Sequence, residues 1–316
     1  MPFNEVHNIS ILSIFFVVLL ALSSATQAGT SLNGFDITDA SIPLNEILPG
    51  GPPRDGIPSI DKPRFVSKAK VKFLNADDRI LGVFYKGIAK AYPIRILNWH
   101  EIVNDKYGHE SVVVSFCPLC GTGMVFNTTH KKAKTFGVSG LLYNSDLLLY
   151  DRETESLWSQ IHAKAISGKL KGSNMSMLPI EHTTWKDWSK RYPRTKVLSE
   201  DTGYNRDYSR SPYAGYEQSE RLYFPVSHAD RRYHPKEQVI GVKINEQVKV
   251  YPFVELAKRK NKVTDNLGGK EIIIEYSKEH HSARVIDSEN NPIPSLMSFW
   301  FAWMAFHPDS EVYVAE

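Results

Sequence analysis

Ile80-Leu81-Gly82-Val83, closed by Ala91-Tyr92-Pro93, returns as Val239-Ile240-Gly241-Val242, closed by Val250-Tyr251-Pro252, at an offset of 159 residues. Self-similarity of this kind speaks to architecture before any single element does. The match continues downstream at an offset of 160, where Val103-Asn104-Asp105, Gly108 and Val112 to Phe116 answer to Val263-Thr264-Asp265, Gly268 and Ile272 to Tyr276. At an offset of 115 follow Trp185, Trp188, Tyr192-Pro193 and Val197 against Trp300, Trp303, His307-Pro308 and Val312. The order of the pieces is the same in both halves.

This pattern predicts an α+β fold, a β-rich internally duplicated unit. Each copy reads as a hairpin ending in Tyr-Pro, a short helix, a turn, a buried strand and a Trp-x-x-Trp helix. Proline suits the first helical turn, where its missing N–H costs nothing. The continuous β-branched runs Val112 to Phe116 and Ile272 to Tyr276 suit strands covered on both faces. The expected layout is one domain over 65–316, with a first copy at about 78–198 and a second at about 237–314. The drop in offset from 160 to 115 gives the first copy an extra segment of about 45 residues between Phe116 and Trp185. That segment is expected to begin at Cys117-Pro118-Leu119-Cys120-Gly121, where the second copy has Ser277 in place of Cys117.

Outward from the repeat, residues 29–64 are rich in Pro, Gly and Asp and read as an irregular lead-in. Residues 1–28 hold an apolar run, Ile9 to Leu22, followed by the small and polar Ser23 to Ala28. This is the pattern of a secretory signal peptide, and the run is shorter than the roughly 20 residues a membrane span needs. The expectation is an exported chain, periplasmic or extracellular, touching a membrane only if its N-terminal segment stays uncleaved. The 316 residues are 42% hydrophobic and 23% charged, enough to bury a full-sized core. A net charge of +3, with Lys and Arg spread along the chain, gives no footprint of a nucleic-acid binder. No Gly-rich phosphate loop, nucleophile elbow or paired-histidine zinc motif occurs, which argues against the familiar hydrolases and kinases. Whether the chain is an enzyme, and what partners it has, stays open at this point.

The chemistry is expected at the only two cysteines. Cys-Pro-x-Cys-Gly at the end of a buried strand is the knuckle of rubredoxin-like and zinc-ribbon sites, yet no second cysteine pair exists to complete four thiolates. Three readings remain: a structural disulfide, which closes so short a loop that it adds only about 2 kcal/mol; a redox-active pair; and a metal site completed by histidine, for which thiolates plus imidazole favour copper or zinc. His100 is the candidate third ligand, because it shares a helix face with Ile96, Leu97 and Val103 and its helix leads into the cysteine strand. His234, before Pro235-Lys236-Glu237, is a weaker one. Glu101 and Asn104 are expected to orient the ligands. Ser139, Asn144 and Gln160, in the extra segment, are candidates to line a pocket beside the cysteines, together with Ser145 and Asp146, although plain turn chemistry is the stronger reading of the hairpin turn at Asn144-Ser145-Asp146.

Five blocks together resemble a known family. They are Trp99-His100-Glu101-Ile102-Val103-Asn104-Asp105, Cys117-Pro118-Leu119-Cys120-Gly121-Thr122, Phe136-Gly137-Val138-Ser139-Gly140, the stretch from Tyr150-Asp151-Arg152 to Ser156-Leu157-Trp158, and His234-Pro235-Lys236-Glu237. In this order they look like the bacterial family catalogued as domain of unknown function 3179, over roughly Phe65 to Val314. The resemblance implies a shared architecture and a shared polar core of His100, Cys117 and Cys120. It implies no particular reaction.

Overall fold

A computed structural model describes residues 1, 29–129, 131–259 and 262–316. The expected signal peptide lies outside the described residues. Among the described residues no helix is long and apolar enough to cross a membrane.

The α+β expectation is overturned. Strands hold 39% of the chain and helices 11%, and five small sheets stand in a five-bladed β-propeller arrangement. Sheet I orders its strands Glu181–Thr184, Arg79–Tyr85, Ile88–Pro93, Lys196–Leu198 and Phe65–Ser67. Sheet II runs Ser176–Met177, Thr122–Asn127, Glu110–Cys117 and Ile102–Tyr107. Sheet III runs Lys164–Ala165, Leu157–Ser159, Asp146–Asp151, Phe136–Tyr143 and Ile47–Pro49. Sheet IV is Leu296–Phe299, Gln238–Ile244, Gln247–Pro252 and Glu311–Val312, and sheet V is Lys262–Leu267, Lys270–Ser277 and Ser282–Ile286.

The physical reason for the misreading is that the matched segments build pairs of sheets, with helices only as corners. The helices are Ile94–His100, Trp185–Arg191, Phe253–Leu256 and Trp300–Phe306, none longer than seven residues. The first matched stretch supplies sheets I and II, the second sheets IV and V, and sheet III has no counterpart. Gly82 and Gly241 explain why Leu-Gly-Val and Ile-Gly-Val match. A Cβ on Gly82 would stand 2.4 Å from the Trp188 ring, and one on Gly241 would stand 2.0 Å from the Trp303 ring. Each glycine leaves room for an indole laid flat on the sheet. The two indoles are tethered alike, Trp188 Nε1 donating to Thr195 Oγ1 at 2.9 Å and Trp303 Nε1 to Ser310 Oγ at 3.0 Å.

The placement of the extra segment is also corrected. The cysteine turn does have a counterpart, since Cys117 pairs with Thr122 across a four-residue turn and Ser277 pairs with Ser282 across another. Both turns place their last residue in the left-handed region, Gly121 at φ 64° and His281 at φ 40°. The insertion therefore starts after Asn127 and carries four of the five strands of sheet III. The lead-in contributes the fifth, Ile47–Pro49, which pairs with Leu141 to Tyr143. It also buries Phe35, Ile37 and Ile60.

Candidate functional site

Strand Glu110–Cys117 is buried along its last six positions and ends with Cys117 in the largest core, alongside Trp158, Tyr216 and Trp300. Pro118 and Gly121 turn the chain back, and the Cys120 carbonyl accepts from Phe299 N at 2.8 Å, which fixes the turn against sheet IV. Cys117 is 1% and Cys120 0% exposed, and both are free thiols.

The third member comes from sheet III. Asn144 and Ser145, at φ 52° and 64°, form the tight turn between Tyr143 and Asp146. Two consecutive left-handed residues match the right-handed twist of a hairpin, and Asn tolerates that conformation. The turn is held inward: Asn144 Oδ1 accepts from Ser227 N at 2.7 Å and Ser145 Oγ donates to Phe224 O at 2.8 Å. Asp146 is thereby delivered to the cysteines. Cys117 Sγ, Cys120 Sγ and a carboxylate oxygen of Asp146 lie within 4.8 Å of one another, all buried. Three such donors could hold a metal ion.

Polar support surrounds this group. Ile161 N donates to Asp146 Oδ2 at 3.2 Å and Thr122 Oγ1 approaches Oδ1 at 3.4 Å. Thr122 Oγ1 also donates to Gln160 Oε1 at 2.7 Å, and Gln160 Nε2 to Ser115 Oγ at 2.7 Å. Glu101 follows helix Ile94–His100 at φ 57° and ψ −31°, a strained position for a residue of this shape. Its backbone is clamped on both sides, N donating to Leu97 O and O accepting from Phe116 N, each at 2.7 Å. The Glu101 carboxylate faces Tyr213, whose hydroxyl donates to Oε1 at 3.5 Å. Tyr216 leaves its buried hydroxyl without a partner.

The electrostatics all push one way. Burial raises the Asp146 carboxyl to about 7 and that of Glu101 to about 8, the latter also repelled by Asp146. Burial raises both thiols too, and the negative charge of Asp146 adds to the effect. Among the described residues no Lys or Arg forms an ion pair with either carboxylate. Four acidic groups are thus buried close together with no ion pair to either carboxylate among the described residues, an arrangement that a bound cation would relieve.

His100 is not brought to the cysteines, which corrects the expected ligand set. Its Nδ1 lies 2.7 Å from Pro58 O and its Nε2 2.6 Å from Tyr208 Oη, so both ring nitrogens are spent on tying the helix to two loops. His234 is exposed, with Nδ1 accepting from Lys236 N at 3.1 Å. The useful member of that block is Lys236. It donates to the carbonyls of Ser219 and Arg221 and lies 4.2 Å from the centre of the Tyr216 ring, bracing the loop that covers the site. Asn104 bridges Phe136 N and O, joining sheets II and III, and Ser139 caps the bulge in Phe136–Tyr143 through Leu141 N and Leu148 O. Gln160 and Asn144 do serve the site, one through Thr122 and one through the turn that carries Asp146. Tyr213 and Tyr216 were not expected. They lie in an aperiodic stretch, and neighbouring tyrosines there gave no sign of which would turn inward.

A small β-propeller with a buried two-thiol, one-carboxylate centre is the class that fold and site define. The chain belongs to the family described as Protein of unknown function (DUF3179), whose model matches residues 54–310. No curated protein and no solved structure matches it.

Proposed function

We propose that this protein binds one thiophilic metal ion through Cys117, Cys120 and Asp146, and that the ion is zinc. The observation that carries the reading is the approach of three buried donors within 4.8 Å of one another, with no ion pair to Asp146 among the described residues. The donor set separates the metals. A carboxylate beside two thiolates belongs to the zinc repertoire, whereas copper(I) prefers soft sulfur donors alone. Three protein ligands leave one tetrahedral position for water or substrate, as in catalytic zinc centres. Glu101, outside the three-atom group but coupled electrostatically to Asp146 and Cys117, would be a proton acceptor near such a position.

The thiol–disulfide reading has less support. A reactive cysteine needs a lowered pKa, which a nearby cation, a helix N-terminus or a Cys-x-x-Cys motif can supply. Here burial and neighbouring carboxylates raise both thiols. The leader-like pattern of residues 1–28 supports a function outside the cytoplasm. Elemental analysis of the purified full chain should find about one zinc per chain, lost in Cys117→Ser and in Asp146→Asn. Stoichiometric zinc retained in both variants, or none in the wild type after zinc loading, would overturn the proposal.

A further inference from the structure

A cavity of about 220 Å³, with Gly121 of the cysteine turn on its wall, opens between four of the five sheets. Arg79 and His182 reach it from sheet I, Phe116 and Gly121 from sheet II, Gln238, Ser298 and Phe299 from sheet IV, and His281 from the turn of sheet V. Three buried polar atoms on its wall have no hydrogen-bond partner: His182 Nδ1, Gln238 Oε1 and Ser298 Oγ. His182 is 9% and Ser298 2% exposed. Leaving a buried polar atom unpaired costs about 1–3 kcal/mol, so three converging on one cavity point to a group that satisfies them together.

The chemistry of the wall narrows that group. Arg79 spends one hydrogen bond from each terminal nitrogen on the carbonyls of His280 and His182 and has no ion pair among the described residues, so its positive charge is offset only by the attraction of Glu217. Exposed Glu217 at the rim disfavours a multiply charged anion. Serine hydroxyl, amide and imidazole can each pair with a ligand hydroxyl, while Phe116 and Phe299 offer an apolar wall to a short carbon skeleton. We infer that this cavity binds a small hydroxycarboxylate, its carboxylate towards Arg79 and its hydroxyl among His182, Gln238 and Ser298. The inference does not depend on the metal centre.

Lactate is the probe, with acetate and inorganic phosphate as controls, titrated into the full chain and followed by ligand-observed NMR. Saturable lactate binding is expected, with acetate weaker by roughly tenfold because it lacks the hydroxyl that the wall would pair, and phosphate weaker still. Ser298→Ala and Gln238→Met should each weaken lactate by roughly tenfold while leaving the circular dichroism spectrum and zinc content unchanged. Using both variants keeps the test alive if one fails to fold. Absence of saturable lactate binding to the wild type, equal binding of acetate or phosphate, or unchanged lactate affinity in the folded variants would each refute it.

Discussion

Asp146→Asn gives the most demanding test of the site, because the same carboxylate that would hold zinc should weaken the metal-free protein. The folded protein holds the Asp146 proton up to about pH 7, against 3.8 for an ordinary Asp. Between those values the folded chain binds one proton more than the unfolded chain, so stability falls as pH rises. The slope is about 1.4 kcal/mol per pH unit, which makes about 3 kcal/mol lost between pH 5 and pH 8 from this one group. Glu101, raised to about 8, extends the loss in the same direction to higher pH. Zinc inverts the sign. It binds the deprotonated ligands, so its stabilisation grows with pH over the same window. Guanidinium midpoints measured in chelator from about pH 5 to pH 8, then with one equivalent of zinc, should therefore slope in opposite directions. The Asn variant should flatten the chelator curve by about 3 kcal/mol across the window and show no response to zinc. Metal-free stability that rises with pH, or an Asn variant with the wild-type slope, would refute the reasoning.

Three further outcomes follow from the geometry. Native metal-free protein should react with a thiol reagent at least about a hundredfold more slowly than denatured protein, because both thiols are buried and held protonated; equal rates would show the pocket open. His100→Ala should cost about 3 kcal/mol, by leaving a cavity and stranding Pro58 O, while Tyr208 Oη keeps Thr202 Oγ1, and should keep the zinc; metal loss from a folded variant would restore histidine to the ligand set. Gly241→Ala should cost about 3 kcal/mol by lifting Trp303 from its sheet, seen as a shifted denaturation midpoint; a midpoint within error of wild type would show that the indole is free to move.

What the sequence revealed was what repeats. Gly82 with Trp188 and Gly241 with Trp303 mark the same packing event twice, so their spacing survived in the letters. The cysteine knuckle was legible because Pro118 and Gly121 constrain the turn. Fold class was misread because strand runs and helix corners look alike at seven residues, and nothing local says that each copy splits into two sheets. His100 was misassigned because an apolar helix face shows that a residue is buried, not what its ring nitrogens meet. Pro58 and Tyr208, which claim them, are 42 and 108 residues away. Asp146 was legible only as one polar residue of a turn, since its partners lie 26 and 29 positions back in another sheet.

The equivalence of the two turns makes the dependence on sheet III testable. Ser277 and His280 stand where Cys117 and Cys120 stand, on a turn of the same length and handedness. If the knuckle alone made the site, the double substitution S277C with H280C should create a second one. It should not. Ser277 and His280 are only partly buried, and nine residues, 287–295, join the ends of sheets V and IV where the first copy inserts sheet III and Asp146. Two half-exposed thiols without a buried carboxylate lack the third protein donor that zinc sites require. Zinc content after dialysis against a mild chelator should stay at one equivalent in the double variant, both of its new thiols remaining open to alkylation. A second retained equivalent would mean that the turn, and not the inserted sheet, selects the metal.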